Sequence, residues 1–186
     1  MVRIATALAS AALALVTVLV GGCGPNDRSE RFAAALTTTT APDGAATVAR
    51  VIDGDTILVV VGGHEERVRL IGIDTPETKD PRRPVQCFGT EAAARTAALL
   101  PAGTPVRLVR DVELRDRYDR LLAYVHRADD DLFVNLTLAR EGYAAAATYP
   151  PNVAHSEAIT AAASRAREER RGLWGACDGA DQPVDG

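Results

Sequence analysis

The sequence predicts an α+β domain dominated by an antiparallel sheet of five strands. Three observations lead there. Segments rich in Val and Ile come first, a segment with helical apolar spacing interrupts them after the third, and the remaining helical segments gather near the C-terminus. The 186 residues suit one such domain with accessory segments.

Residues 47–52, 57–61 and 67–73 are the first three predicted strands, with a bend at Asp53-Gly54 and a turn at Gly62-Gly63 between them. Within the third, Val68, Leu70, Ile71 and Ile73 read as half-buried strand positions, Arg69 sits among them, and Pro76 ends any regular ladder. Arg69 and Asp74 are five positions apart, so strict alternation would send them to opposite faces. The strand must therefore bend or end before Asp74, and Gly72 offers the place. Residues 90–100 follow as a helix whose apolar stripe is Ala92, Ala93, Thr96, Leu99 and Leu100, stopped by Pro101-Ala102-Gly103. Strands are predicted at 104–110 and 121–126, a short helix at 133–140 stopped by Gly142, and a longer helix at 154–171. In the last, Ala158, Ala161, Ala162 and Ala166 are expected to face inward. This order suits a small closed or partly open barrel, of which the OB-fold is one candidate, and equally an open α+β sheet.

The N-terminal part reads differently. Arg3, an uncharged apolar run over residues 4–20 and then Gly21-Gly22-Cys23 describe a secretory signal peptide over residues 1–22. The run is shorter than the roughly 20 apolar residues that span a bilayer. Small residues before Cys23 resemble the lipobox of bacterial lipoproteins, which implies cleavage there and lipidation of the Cys23 thiol. Simple secretion and an uncleaved anchor are the alternatives. Residues 23–46 are polar, with a run of four threonines and no periodicity, and read as a flexible tether. The folded domain is expected over 47–175, followed by an acidic tail over 176–186.

The formal net charge of −4 argues against nucleic-acid binding by the whole surface, so a polyanion site here must concentrate its positive charge locally. Every basic residue except Lys79 is arginine, a side chain that makes planar two-pronged contacts with phosphate or carboxylate. Codon bias in an alanine-rich proteome explains the same preference. With Cys23 lipidated, Cys87 and Cys177 remain as a pair for an oxidising compartment. Two cysteines and the dispersed His64, His126 and His155 lack the spacing of a zinc site.

Six segments stand out: VIDGDT at 51–56, VRLIGIDTPE at 68–77, FGTEA at 88–92, DRYDRLLAYV at 116–125, VNLTLAREG at 134–142 and RGLW at 171–174. In order and approximate spacing they closely resemble the thermonuclease family, the staphylococcal-nuclease-like phosphodiesterases, over residues 47–174. The resemblance implies a five-stranded OB-fold barrel with three helices. It also implies a calcium-dependent extracellular nuclease that cuts DNA and/or RNA by metal-assisted in-line attack of water, leaving a 5′-hydroxyl and a 3′-phosphate. By the same resemblance Asp55, Asp74 and the backbone carbonyl of Thr75 are the calcium ligands. Calcium takes about six to eight hard oxygen ligands, so water and substrate phosphate would complete the shell. Glu77 matches the proposed general base, and Arg69 and Arg120 the two arginines that hold the scissile phosphate, where fixed guanidinium donors act on developing charge. Tyr118 matches a phosphate-contacting tyrosine beside Arg117, and Tyr149 is a candidate to stack on a base. Asp53 is read as a turn or supporting residue.

Taken singly, each of these residues has an ordinary structural explanation as a turn aspartate, a solvated glutamate or a strand-edge arginine; the ordered set outweighs it. Two positions depart from the family pattern. Asp119 replaces a glycine and adds negative charge beside Arg120, and Ala144 to Ala147 fill the stretch where a second aromatic belongs. Both bear on affinity and base preference more than on chemistry. The rival readings are a non-catalytic nucleic-acid-binding OB-fold lipoprotein and an envelope protein-binding platform. The first predicts loss of an acidic or arginine position, yet Asp55, Arg69, Asp74, Glu77 and Arg120 are all present. The remaining expectations are a nucleic-acid substrate, a monomer, and a chain held to the outer face of the cell membrane by its N-terminal lipid or secreted.

Overall fold

A computed structural model describes residues 45–79 and 85–177. The predicted signal peptide, Cys23, most of the tether and the tail from residue 178 lie outside the described residues. Five strands close a barrel in the order β1 (Ala45–Asp53), β2 (Thr56–Val61), β3 (His64–Leu70), β6 (Leu121–Arg127) and β5 (Pro105–Val109), with β5 returning to β1. All neighbours are antiparallel except β3 and β6, which run parallel from Val68↔Leu121 to Leu70↔Ala123. Closure removes exposed strand edges, and the alternation of each strand sends one side-chain set inward. Val48, Ile57, Val59, Val68, Leu70, Val106 and Val125 are that set, each 1% exposed or less. The closed OB-type barrel with its helices is therefore the architecture, and the open sheet is not.

The predicted third strand is two elements. β3 ends at Leu70, the chain turns at Ile71, and β4 (Gly72–Asp74) leaves the barrel to pair with β7 (Ala145–Ala147), from Gly72↔Ala147 to Asp74↔Ala145. Gly72 makes the break with φ +83°, a left-handed conformation in which a side chain would be strained. The buried amide of Asn135 seals it, donating to Ile71 O at 2.8 Å and accepting the Val125 N–H at 2.9 Å.

Helix α1 (Gly89–Leu99) packs on β1 through Ala92, Thr96 and Leu99, close to its predicted stripe. Helix α2 (Val134–Glu141) ends at Gly142, φ +81°, whose N–H closes on Ala139 and Leu138 carbonyls. Helix α3 (Ser156–Glu168) is shorter than its predicted range, and its buried stripe is Ile159, Ala163 and Ala166. Ala158 and Ala161 face solvent and Ala162 is half-buried, contrary to expectation. The alanine-rich segment offers several helical stripes of similar hydropathy, and the one isoleucine, as the largest apolar side chain, decides which turns inward. A one-turn helix, α4 (Leu173–Ala176), follows, with Leu173 fully buried.

Cys87, just before α1, and Cys177, just after α4, are joined by a disulfide across a sequence separation of 90. Their pairing agrees with the sequence reading and ties the C-terminal turn to the start of α1. Closing a loop of that length restricts the unfolded chain, an effect of about 4–5 kcal/mol in the chain-entropy model. Cys177→Ser should lower the unfolding free energy by about 2–5 kcal/mol while leaving the far-ultraviolet circular dichroism of the native state unchanged. Denaturant titration of both proteins measures it, and equal midpoints would show that the crosslink contributes nothing.

Candidate active site

The site is organised around Arg69. It stands on the outward face of β3, between Val68 and Leu70 in the barrel core, and its side chain is only 14% exposed. A guanidinium so enclosed needs acceptors on every side. Nη1 donates to the carbonyls of Leu70 at 2.7 Å and Ile73 at 2.9 Å. Nη2 donates to Asp74 Oδ1 at 2.7 Å and lies 3.1 Å from Asp55 Oδ2. The turn at Ile71 is what brings Asp74 to the same side as Arg69, which an unbroken strand could not do.

Asp55 follows the bend after β1. Its Oδ2 also accepts the Thr75 backbone N–H at 3.0 Å and the Thr75 hydroxyl at 3.1 Å, and its Oδ1 accepts the Thr56 hydroxyl at 3.0 Å. Gly54 permits this approach: a Cβ there would lie 2.6 Å from Thr75 Oγ1. The Gly54 carbonyl in turn accepts the Thr96 hydroxyl of α1 at 2.5 Å. Asp55, Asp74 and Thr75 are thus brought together, as the sequence motifs imply. Among the described residues no group of three His, Cys, Asp or Glu side chains gathers as a metal cluster. Any cation held at Asp55 and Asp74 would rely on the Thr75 carbonyl, water and substrate for further oxygens.

Glu77 lies one step further along. Its Oε1 accepts the Lys79 N–H at 2.6 Å, and its backbone exchanges hydrogen bonds with Gln86. Asp53 is its neighbour. The Asp53 carboxylate accepts the Gly54 N–H at 2.9 Å and the Thr78 hydroxyl at 2.9 Å. Burial, with the adjoining Glu77 carboxyl as second cause, pushes Asp53 up to about 6. Asp53 is therefore more than a turn residue: it pins the segment that carries Glu77.

A cavity of about 490 Å³ opens beside Arg69. Arg117, Tyr118, Arg120 and Tyr149 line it together with Glu113 and Asp116. Arg120 is held by Asp116, with Nε and Nη2 each 2.7 Å from Oδ2. Asp116 also accepts the backbone N–H groups of Tyr118 at 2.9 Å and Arg120 at 3.0 Å. Burial opposes its charge, but the backbone and guanidinium bonds of Arg120 outweigh it and hold the carboxyl below its ordinary 3.8. Arg117 donates to the Tyr118 hydroxyl at 2.6 Å and lies over its ring. Asp119, expected to burden Arg120, instead faces Arg115, 3.5 Å from its Nη1. It holds φ +62°, the conformation for which glycine serves in the family pattern, and aspartate is among the residues that tolerate it.

Tyr118 and Tyr149 are 64% and 71% exposed, open to stack on a flat partner. The cavity rim is stitched from two connections. Glu113 and Asn152 exchange backbone-to-amide bonds at 2.7 and 3.1 Å. Asp111 accepts the Tyr124 hydroxyl at 3.0 Å and the Ala154 N–H at 2.9 Å. The stretch read as lacking a second aromatic is occupied as β7, whose alanines hold Asp74 in place. Asp116 and Asn135 escaped the sequence reading. Their only signal is position, inside DRYDR and at the start of the VNLTL helix.

Residues 67–176 match the family described as staphylococcal nuclease homologue. A thermonuclease of Staphylococcus intermedius is 46% identical over 127 residues, covering 68% of this chain and 74% of the relative. A thermonuclease of Staphylococcus hyicus is 43% identical, covering 68% and 73%. Endonuclease YncB of Bacillus subtilis is 37% identical, covering 69% of this chain and 60% of that protein. With its closed barrel, the broken strand that sets Asp74 against Arg69, and these relatives, the chain belongs to the staphylococcal nuclease family.

Proposed function

We propose that the site hydrolyses phosphodiester bonds of DNA and/or RNA with calcium, in a chain exported from the cell and either held there by a lipid on Cys23 or secreted. The chain is a phosphodiester-hydrolysing nuclease, in keeping with its thermonuclease and endonuclease relatives. One observation carries the finer reading. Arg69 Nη2 sits between an oxygen of Asp55 and an oxygen of Asp74, beside a cavity that also presents Arg120. Carboxylates that already converge on one positive nitrogen form a donor set of hard oxygens, and with the Thr75 carbonyl they fit calcium rather than a thiolate- or imidazole-seeking ion. Bound there, calcium would act as a Lewis acid on a phosphate oxygen. Two carboxylates make a weak site, with a dissociation constant on the order of 10⁻⁴–10⁻³ M.

The chain's own residues divide the remaining work. Glu77 holds the attacking water and accepts its proton, in line with the scissile bond. Arg69 and Arg120 donate to the equatorial phosphate oxygens, where negative charge builds. In the present arrangement the two Nη groups of Arg69 are fully engaged, and Nε has no partner among the described residues. Handing Asp55 and Asp74 to a cation would release Nη2 toward a phosphate. Arg117 and Tyr118 hold a neighbouring phosphate, and Tyr149 stacks on a base, a contact worth about 1–3 kcal/mol.

The decisive experiment incubates the full chain with labelled single-stranded DNA, first with calcium and then with a chelator. Cleavage that stops on chelation supports the reading, and binding without cleavage refutes it. Glu77→Gln should lower turnover by about 10²–10⁴ while calcium affinity stays within a few-fold. Parallel calorimetry and rate measurements check this, and a rate loss explained by lost calcium binding would remove Glu77 from the base role.

Asp116→Asn should also slow the enzyme, by roughly 10-fold or more, because the neutral amide no longer fixes Arg120 by charge. The sign of its pH dependence follows from the lowered carboxyl value. The stabilisation is complete above the ordinary 3.8 and is lost only as pH falls through the lower folded value. Acid denaturation of the wild type should therefore show a stability loss as pH falls from 3.8 to that lower value, which the asparagine variant lacks. Superimposable acid limbs would mean that Asp116 is not held as the structure shows.

A further inference from the structure

Next to the catalytic row of the barrel lies a second row of arginines that the mechanism does not use. The registers place Thr56 opposite Arg69 and, one outward position further along the strands, Leu58 between Arg50 of β1 and Arg67 of β3. Arg50 and Arg67 are exposed, and among the described residues neither side chain has a hydrogen bond or ion pair. Most other arginines of the domain are engaged: Arg95 with Glu141, Arg107 with Asp131, Arg115 with Glu66, Arg120 with Asp116 and Arg127 with Asp130. Leu58 is only 7% exposed although it faces outward and stands apart from the main core cluster. Long arginine stems lying over it would keep both guanidinium heads in water beside each other.

The spacing suits a strand of nucleic acid. Alternate residues of one strand are about 6.6 Å apart, so Arg67 sits one nucleotide step of an unstacked chain from Arg69. Strands lie about 4.8 Å apart, which sets Arg50 and Arg67 about 9.6 Å apart at their backbones, wide enough to close on one phosphate from both sides. The following row, Thr47–Val60–Glu65, carries no positive charge, so the track extends one step and ends. In a chain whose net charge is −4, two unpaired guanidinium groups adjoining the catalytic arginine are the local concentration that a polyanion requires.

We infer that Arg50 and Arg67 form a phosphate clamp outside the catalytic centre, which grips the sugar-phosphate backbone of single-stranded DNA or RNA one step from the scissile bond. The clamp rests on the nuclease reading for its substrate but not for its binding, and the two are separable by experiment. The full-length protein, its Arg50→Gln/Arg67→Gln double variant and the Arg50→Lys/Arg67→Lys double variant are compared in two assays. In the first, binding of a labelled oligothymidylate that spans both rows is followed against salt concentration in the presence of chelator. Each phosphate neutralised on a single strand contributes about 0.7 to the slope of log affinity against log salt, so the glutamine variant, which frees the one clamped phosphate, should lose about 0.7 of slope and the lysine variant should keep it. In the second, calcium-supported kcat/KM is measured on the same oligonucleotide and on a nitrophenyl ester of thymidine phosphate, which has one diester and cannot reach the clamp. The glutamine variant should lose kcat/KM through KM on the oligonucleotide alone. An unchanged salt slope, or an equal loss on both substrates, overturns the clamp. If the wild type cleaves neither substrate the nuclease reading fails, and the salt slopes still decide the clamp.

Discussion

The enclosed guanidinium of Arg69 is the constraint around which the rest is arranged. A charge 14% exposed is costly to keep unless it is paired and hydrogen-bonded, and here two carbonyls and two carboxylates meet it. Removing one partner of such a buried pair typically costs about 3–5 kcal/mol, because the other charge is left stranded. Those acceptors come from the end of β3, from β4 and from the bend after β1, so satisfying Arg69 fixes the relative position of three segments. The same groups are the ones proposed to handle phosphate and calcium. Stability and chemistry thus draw on one cluster.

The broken strand is the means by which the fold meets that constraint. Had β3 continued, Asp74 would face away from Arg69. The turn at Ile71 costs the ladder its regular bonds, and Asn135 replaces them from inside the core with partners on β6 and at the turn. A buried amide with its donors and acceptors satisfied is stabilising, whereas a partly satisfied one is not. β7 then holds the displaced β4, with alanines small enough to lie under α3. The alanine run that departs from the family's aromatic pattern is structural in this chain.

Charge is handled in the same local way. The protein is acidic in total, yet acids and arginines are mostly matched in pairs, and the cavity walls gather Arg69, Arg117 and Arg120. Asp116 directs Arg120, while the exposed carboxylate of Asp119 is drawn off by Arg115, which Glu66 anchors from β3 through two bonds of 2.9 and 3.0 Å. A negative residue beside the arginine proposed to hold phosphate is harmless when another cation takes it up.

Much of this was legible in the order of residues. Val and Ile segments specify strands, Gly and Pro specify breaks, and the motifs around Asp55, Asp74, Glu77 and Arg120 specify a family and through it a barrel. Even the need for a break near Gly72 follows from counting positions between Arg69 and Asp74. What could not be read is whatever depends on pairing between distant segments. Local periodicity cannot say that β1 meets β5 to close the barrel, or that three alanines become the partner of β4. Nor can it say which stripe of an alanine-rich helix turns inward, since neighbouring stripes differ little in hydropathy and only contact with the core decides between them. The roles of Asp53, Asp116 and Asn135, and the alignment of Arg50 with Arg67 across Leu58, belong to the same class. Each is an electrostatic or hydrogen-bond relation set by distance in space, and the tertiary structure alone brings those groups within reach.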